Sequence, residues 1–282
     1  MPTQIRIITA NLCNENPGNK TTLIKKWFTV FSKLNVDILF LQEIATYNIE
    51  TLANKLDMKI FNVNQFEETS LLINPDKLSI IDNNYVKLKT GKKPIYIGGI
   101  HLDDVPSLPH HMNNMTYKSY KTYSLSNSID KMLILCEKHR MPKVKEEFKK
   151  IKNIKTDRII IAGDFNEPSH LDLDNDIKTP ISIEFEKNGF VDTYRHMNKN
   201  TNTNMDTNTN KNKNIDKSKI GYTWPVGKYY KGEPEQRIDF IYTKNLKIVK
   251  SVLYDGDGGD DGGTTNSKWL SDHRIVITDI VI

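Results

Sequence analysis

Short apolar runs recur along the chain and stop at polar or small residues. "IRIITA", "DILFLQ", "SLLIN", "PIYIGGIHL", "RIIIAG", "RIDFIY", "KIVKSVLY" and "HRIVITDIVI" are rich in Ile, Val, Phe and Tyr, and their length predicts strands. Several are apolar throughout, which predicts burial on both faces. Others, such as "RIVITDIVI", alternate, which predicts one covered face. Helical spacing appears between the strands. Ile129, Leu133 and Cys136 repeat at that interval, and so do Val144, Phe148 and Ile151 after Pro142, which reads as a first-turn proline. Strands at both ends of the chain with helices between them argue for an α+β protein, its sheets packed together under flanking helices.

Two segments break the pattern. Residues Met197 to Lys219 are almost all Asn, Thr, Lys and Asp, with no periodic apolar positions. Such a stretch cannot bury a core and is expected to be a disordered surface insertion. Tyr254 to Ser267, "YDGDGGDDGGTTNS", reads as a mobile loop in which glycine supplies unusual backbone angles. Its acidic residues could take calcium, but their spacing does not match an EF-hand loop, and a solvated loop is favoured. Strand-like segments continue on both sides of the Asn-rich stretch. The expectation is therefore one domain over residues 1–282, carrying insertions at 197–219 and 254–267. No internal repeat is visible.

Composition narrows the class. The 282 residues are 37% hydrophobic and 27% charged, enough for a sizeable core in a globular protein. The net charge is +5 and the pI near 8.9, which suits a polyanionic partner such as nucleic acid. Lysine enrichment from codon bias explains the excess equally well. Two cysteines, Cys13 and Cys136, cannot build a disulfide framework or a cysteine-type zinc site, so a reducing compartment is the simpler expectation. The first residues contain no signal-peptide core, and no run approaches the roughly 20 apolar residues needed to span a bilayer. The expected protein is soluble and intracellular, in cytoplasm or nucleus.

Candidate chemistry lies at the strand ends, where a fixed backbone can present a side chain to a cleft. "RIITAN" ends at Asn11, "DILFLQE" at Glu43, "IYIGGIH" at His101 and "RIIIAGDFN" at Asp164 and Asn166. "QRIDFIY" carries Asp239 within it, and "LSDHRIVI" places Asp272 and His273 before a strand. Each has an ordinary alternative. Asn11 could be a turn residue, Glu43 a helix-start carboxylate and His101 a half-buried histidine. Asp164 and Asn166 could bond their own backbone in a turn, and Asp272-His273 could be a capping pair. In the functional reading Gly163 lets the chain turn tightly so that Asp164 and Asn166 are presented into a phosphate site. Glu167 reads as a helix-start or surface residue. Asp239 is harder to dismiss, because a carboxylate within an apolar strand needs a partner. Six coincidences at six strand ends are a poor explanation. Carboxylate and amide oxygens suit Mg²⁺, with Mn²⁺ as an alternative. A histidine held by a carboxylate and an Asp that orients water complete what metal-assisted phosphate ester hydrolysis needs.

The ordered elements "TANL", "LQE", "GIHL", "GDFNEP", "YTWP", "RIDFIY" and "SDHR" run from near residue 5 to residue 282. In this order the chain resembles the endonuclease/exonuclease/phosphatase superfamily, with its DNase I-like fold. The resemblance implies a four-layer α/β/β/α sandwich of two mixed sheets, with the active site at one edge. It implies Glu43 as principal metal ligand beside Asn11 and Asp272, and Asp164 orienting or deprotonating water. It further implies Asn166 on the phosphate, Asp239 holding His273 against a phosphoryl oxygen, and His101 near the leaving group. Nucleases that cut at abasic sites usually carry an acidic residue at the position of Cys13 and a tyrosine at that of His101. His101 is closer to the DNase I, sphingomyelinase, inositol-phosphatase and tyrosyl-DNA phosphodiesterase branches. The implied function is a Mg²⁺-dependent phosphodiesterase acting as a monomer on nucleic acid or a nucleic-acid adduct. Alternatives are a lipid or inositol-phosphate phosphoesterase and a non-catalytic binding module. Past His101, Asp103, Asp104, His110 and His111 could form a second metal site, but a solvated polar loop is favoured.

Overall fold

Twelve strands and six helices order the chain among the described residues of the computed structural model. It describes residues 2–13, 20–62, 69–82, 85–91, 93–117, 128–154, 156–173, 176–198, 220–226, 232–256 and 269–282. The strands are β1 (Gln4–Asn11), β2 (Ile38–Gln42), β3 (Lys59–Asn62), β4 (Ser70–Ile73), β5 (Leu78–Asp82), β6 (Tyr85–Leu88), β7 (Ile95–His101), β8 (Ile159–Asp164), β9 (Val191–Asp192), β10 (Asp239–Lys244), β11 (Lys247–Tyr254) and β12 (Ile275–Val281). The helices are α1 (Lys20–Leu34), α2 (Thr46–Leu56), α3 (Leu108–Met112), α4 (Ile129–Lys152), α5 (Pro180–Lys187) and α6 (Thr193–Met197). All eight runs expected to be strands are strands.

They form two six-stranded sheets, ordered β11-β12-β1-β2-β4-β3 and β5-β6-β7-β8-β10-β9. The pairs β1–β2 and β7–β8 are parallel and the other pairings antiparallel, so both sheets are mixed. Alternation along a strand divides its side chains between layers. Ile5 and Ile7 of β1 join Phe40, Ile97, Ile160, Ile241 and Val276 between the sheets. Ile8 and Ala10 face Trp27, Phe31 and Leu52 of α1 and α2. On the outer face of the second sheet, Ile161 and Phe240 pack with Val144 and Phe148 of α4 and Phe185 of α5. The result is the expected four-layer α/β/β/α sandwich. Each fully buried Ile, Leu or Phe contributes about 1.5–3 kcal/mol by leaving water.

Four expectations need correction. The alternation in β12 predicted one covered face, yet the strand is buried on both. Its polar members have partners: Asp279 takes two bonds from Arg6 at 2.7 and 2.8 Å, and Thr278 meets Thr193 and Ser251. Pro142 does not begin a helix but lies inside α4, which runs unbroken from Ile129 to Lys152. Gly163 is not a turn residue. It lies within β8 at φ 151° opposite Ile100, whose carbonyl oxygen occupies the place a Cβ would need. Finally, Met197 and Asn198 end α6 rather than open a disordered stretch, and Asp255 is buried against Arg274 at 3.0 Å. The rest of the Asn-rich insertion and of the Gly/Asp-rich loop, with Ser267, lies outside the described residues. No helix among the described residues is long and apolar enough to cross a membrane.

Candidate active site

Strand register assembles the cluster. In the second sheet His101 pairs with Asp164 across the parallel β7–β8 ladder, and Asp164 pairs with Asp239 across the antiparallel β8–β10 ladder. The end of one strand thus meets the beginning of another at the same sheet edge. In the first sheet Asn11 pairs with Gln42, one residue before Glu43, and β12 pairs with β1 so that His273, two residues before β12 begins, lies beyond Asn11. Packing of the two sheets joins both edges into one mouth.

Hydrogen bonds then fix the side chains. Asn11 Nδ2 donates to Glu43 Oε1 at 2.9 Å and to Asp164 Oδ2 at 3.0 Å, bridging the sheets. Asp164 Oδ1 accepts from the Asn166 backbone N–H at 2.9 Å. Asn166 Nδ2 donates to the Leu102 carbonyl at 2.9 Å, tying the loop after β8 to that after β7. His273 Nδ1 lies 2.9 Å from Asp239 Oδ2, and its Nε2 is 3.8 Å from Asp164 Oδ2. His101 Nε2 is 3.8 Å from Asp164 Oδ2 and 3.9 Å from Glu43 Oε1. Glu43 and Asn166 hold left-handed φ of 52° and 49°, and Cys13 holds 48°. Non-glycine residues in that region cluster where structure is held for function.

Burial and like charge perturb the titrating groups. Asp164 is pushed up to about 8, first by burial and then by the neighbouring charge of Asp239. Burial alone would lower His273, but Asp239, Asp272 and Asp164 outweigh it and hold the imidazole charged well above its ordinary range. Burial lowers His101, and Glu43 opposes it only in part. Asp272 is raised by burial but lowered more by His273, Cys13 and Trp224. Burial with Asp272 and Glu43 pushes the Cys13 thiol up, so it stays protonated.

All eight predicted site residues lie at this edge, though not all in one donor set. Glu43, His101 and Asp164 place ligand atoms within 4.8 Å of one another, and so do Asp164, Asp239 and His273. Asp272 lies outside both groups and accepts instead from Trp224 Nε1 at 3.0 Å. The Asn11 oxygen accepts from the Cys13 N–H at 3.0 Å. His101 Nδ1 and Asp239 Oδ1 are buried with no hydrogen-bond partner among the described residues. A surplus of buried carboxylate, with one carboxyl pushed up to about 8, fits a divalent cation.

Two supporting residues escaped the sequence reading. Thr223 Oγ1 accepts from the backbone N–H groups of Ile238 and Asp239 at 3.0 and 3.2 Å, clamping the start of β10. Ser271 Oγ donates to the Asn11 carbonyl at 2.7 Å and accepts from the His273 N–H at 3.0 Å. Each sits inside a motif that was recognised, "YTWP" and "SDHR", where its hydroxyl was the available signal. One reading narrows and one is overturned. Glu167 serves a helix start and is not a surface residue: it is buried, and its Oε1 accepts from Ile181 N–H at 2.9 Å at the start of α5. The 102–111 segment is not a solvated loop. His110 is fully buried between Ser107 Oγ, Glu233 Oε2 and the Tyr117 ring.

The mouth opens into a cavity of about 690 Å³, lined by Glu43, His101, Asp164, Asn166, Asp272 and His273 and extended by Trp224, Tyr117, Lys143 and Glu233. Fold and site together define a DNase I-like sandwich with a carboxylate–histidine centre where the sheets meet. The family model for the Endonuclease/Exonuclease/phosphatase family matches residues 8–273, and the chain belongs to that family. The Caenorhabditis elegans protein F14F9.5, described as uncharacterized, is 26% identical over 306 residues, covering 98% of this chain and 90% of its own. The endonuclease/exonuclease/phosphatase from Bacteroides vulgatus superposes with a TM-score of 0.66 at 15% identity, over 99% and 98% of the two chains. TDP2 of D. rerio, complexed with single-strand DNA product, superposes at 0.60 with 13% identity over 99% of both chains. At these identities the two structures speak for the fold.

Proposed function

We propose that this chain is a divalent-metal-dependent phosphodiesterase acting on nucleic acid or a nucleic-acid adduct. The observation that carries the reading is the meeting of Glu43, His101, Asp164 and His273, from two sheets, at one cavity mouth, with Asn11 and Asp239 bonded to them from behind. Family membership supports the phosphoester class. The net charge of +5 supports a polyanionic substrate. The reading takes the chain as one domain, acting as a monomer inside the cell.

Glu43, steadied by the Asn11 amide, would be the principal holder of Mg²⁺ or Mn²⁺, and Asp272 on the same cavity wall would join it only on leaving Trp224 Nε1; the ion would offset charge on the phosphoryl group. Asp164, anchored through both oxygens by Asn11 and Asn166, orients the attacking water and takes its proton. His273, kept cationic by Asp239, presents Nε2 toward the same space and donates to a phosphoryl oxygen. Asn166 fixes the phosphate beside it. His101, uncharged because burial disfavours the imidazolium, lines the side from which the leaving oxygen departs.

The test is a substrate panel with Mg²⁺, Mn²⁺, Ca²⁺ or EDTA: single- and double-stranded DNA, an abasic duplex, a 5′-tyrosyl oligonucleotide, RNA, sphingomyelin and an inositol polyphosphate. Metal-dependent cleavage of a nucleic-acid substrate is expected. Turnover confined to the lipid or the inositol phosphate would overturn the substrate class.

A further inference from the structure

The cavity poses an electrostatic problem. Glu43, Asp103, Asp104, Asp164, Glu233 and Asp272 all line it, yet the substrate class proposed for it is anionic. Among the described residues, Lys143 is the one lysine or arginine on its wall. No motif element contains it.

Its placement is fixed by its neighbours on α4. Arg140, one turn earlier and 1% exposed, donates from Nε to the Asp103 carbonyl at 2.8 Å and from Nη2 to the Pro106 carbonyl at 2.7 Å. Val144, fully buried, locks the next position into the apolar layer. The turn bearing Lys143 is thus bolted to the segment that follows His101. The Lys143 side chain is half-buried and makes no hydrogen bond or ion pair among the described residues. Lys77 and Lys150, by contrast, are paired with Asp37 and with Glu146 and Glu147. The charge of Lys143 is also felt at His101, whose protonation it opposes.

We propose that Lys143 is a second phosphate-binding cation of the cavity, beside His273, pairing with a phosphate oxygen on the His101 side of the carboxylate centre. The proposal rests on the phosphodiesterase reading above and adds to it a residue that favours anion binding. A lysine serves here as a compact point charge on a flexible stem, suited to phosphate without demanding one geometry.

The experiment measures binding, not turnover. A fluorescein-labelled single-stranded 12-mer is titrated with wild type, Lys143→Met and Lys143→Arg in EDTA, across a series of salt concentrations. Loss of one phosphate contact lowers the slope of log Kd against log salt by about 0.7 on single strands. The expected result is that reduction in Lys143→Met, with affinity about tenfold weaker, and a wild-type slope in Lys143→Arg. An unchanged slope in Lys143→Met would overturn the proposal while leaving the nucleic-acid reading intact. If wild type does not bind the oligonucleotide in EDTA, inorganic phosphate, titrated calorimetrically, becomes the probe, and the nucleic-acid reading stays with the substrate panel. Tenfold weaker phosphate binding in Lys143→Met then upholds the role of Lys143, and equal binding overturns it.

Discussion

Asp239→Asn isolates the electrostatic heart of the site. The substitution keeps the size of the side chain and an oxygen for His273 Nδ1–H, but removes the charge 2.9 Å away. Both partners are buried, with side-chain exposures of 6% and 0%, so water screens the pair little. A hydrogen bond between charged groups contributes about 1.5–3 kcal/mol. At 1.36 kcal/mol per pKa unit, that lowers His273 by about one to two units. Asp272 and Asp164 still hold it part of the way up. The same change lowers Asp164, because the charge of Asp239 helps to raise it. His273 must be protonated and Asp164 ionised for the proposed reaction, so both limbs of the pH–rate profile move to lower pH. As the groups are coupled, the limbs report the set rather than single residues. At pH 7.5 kcat/KM should fall about 100-fold, within the usual range for impaired acid–base assistance. The assay is metal-dependent hydrolysis from pH 5 to 9.5, with circular dichroism to confirm the fold. A variant within twofold of wild type whose limbs have not moved would refute the reasoning.

Three further outcomes follow from the geometry. Gly163→Ala forces a Cβ onto the Ile100 carbonyl at a positive φ, and should cost more than about 2 kcal/mol in urea unfolding. Glu167 is raised to about 7, chiefly by burial, with Arg140 opposing. A folded-state pKa above the unfolded one gives stability that is full below about pH 4.5 and is lost as pH rises through about 7. The melting temperature of Glu167→Gln should therefore gain on wild type between about pH 4.5 and 7 and level off above, and a constant difference across that window would contradict this. Added Mg²⁺ or Mn²⁺ should raise the melting temperature of wild type and much less that of Glu43→Gln, as expected for a ligand that binds the folded state.

The fold was legible where strands are interior. β2, β7, β8 and β10 are largely apolar because both faces are covered, and such runs announce themselves. The strands β3, β5, β6 and β9 escaped: β3, β5 and β9 lie at sheet edges, and β9 has only two residues. "KIFN" and "LSIID" leave much of their surface in water, so they carry little hydrophobic signal. The burial of Asp279 and Thr278 in β12 was illegible because their partners lie across the sheet or in α6, far away in sequence. The candidate site was legible for one reason. Both sheets bring strand ends to a single edge, so a polar residue that closes or opens an apolar run falls near the others. Thr223 and Ser271 were hidden because a hydroxyl that clamps a backbone looks like any turn residue. Lys143 and Glu233 carry no local pattern, since only packing of α4 and the 232–236 segment brings them to the cavity.

The most direct test follows product release from the best substrate of the panel, with Mg²⁺ and with EDTA, for wild type, Asp164→Asn and His273→Ala. Cleavage by wild type should be abolished by EDTA, and each variant should lose at least about 100-fold with the fold preserved. Wild-type rates in either folded variant, or cleavage indifferent to EDTA, would contradict this.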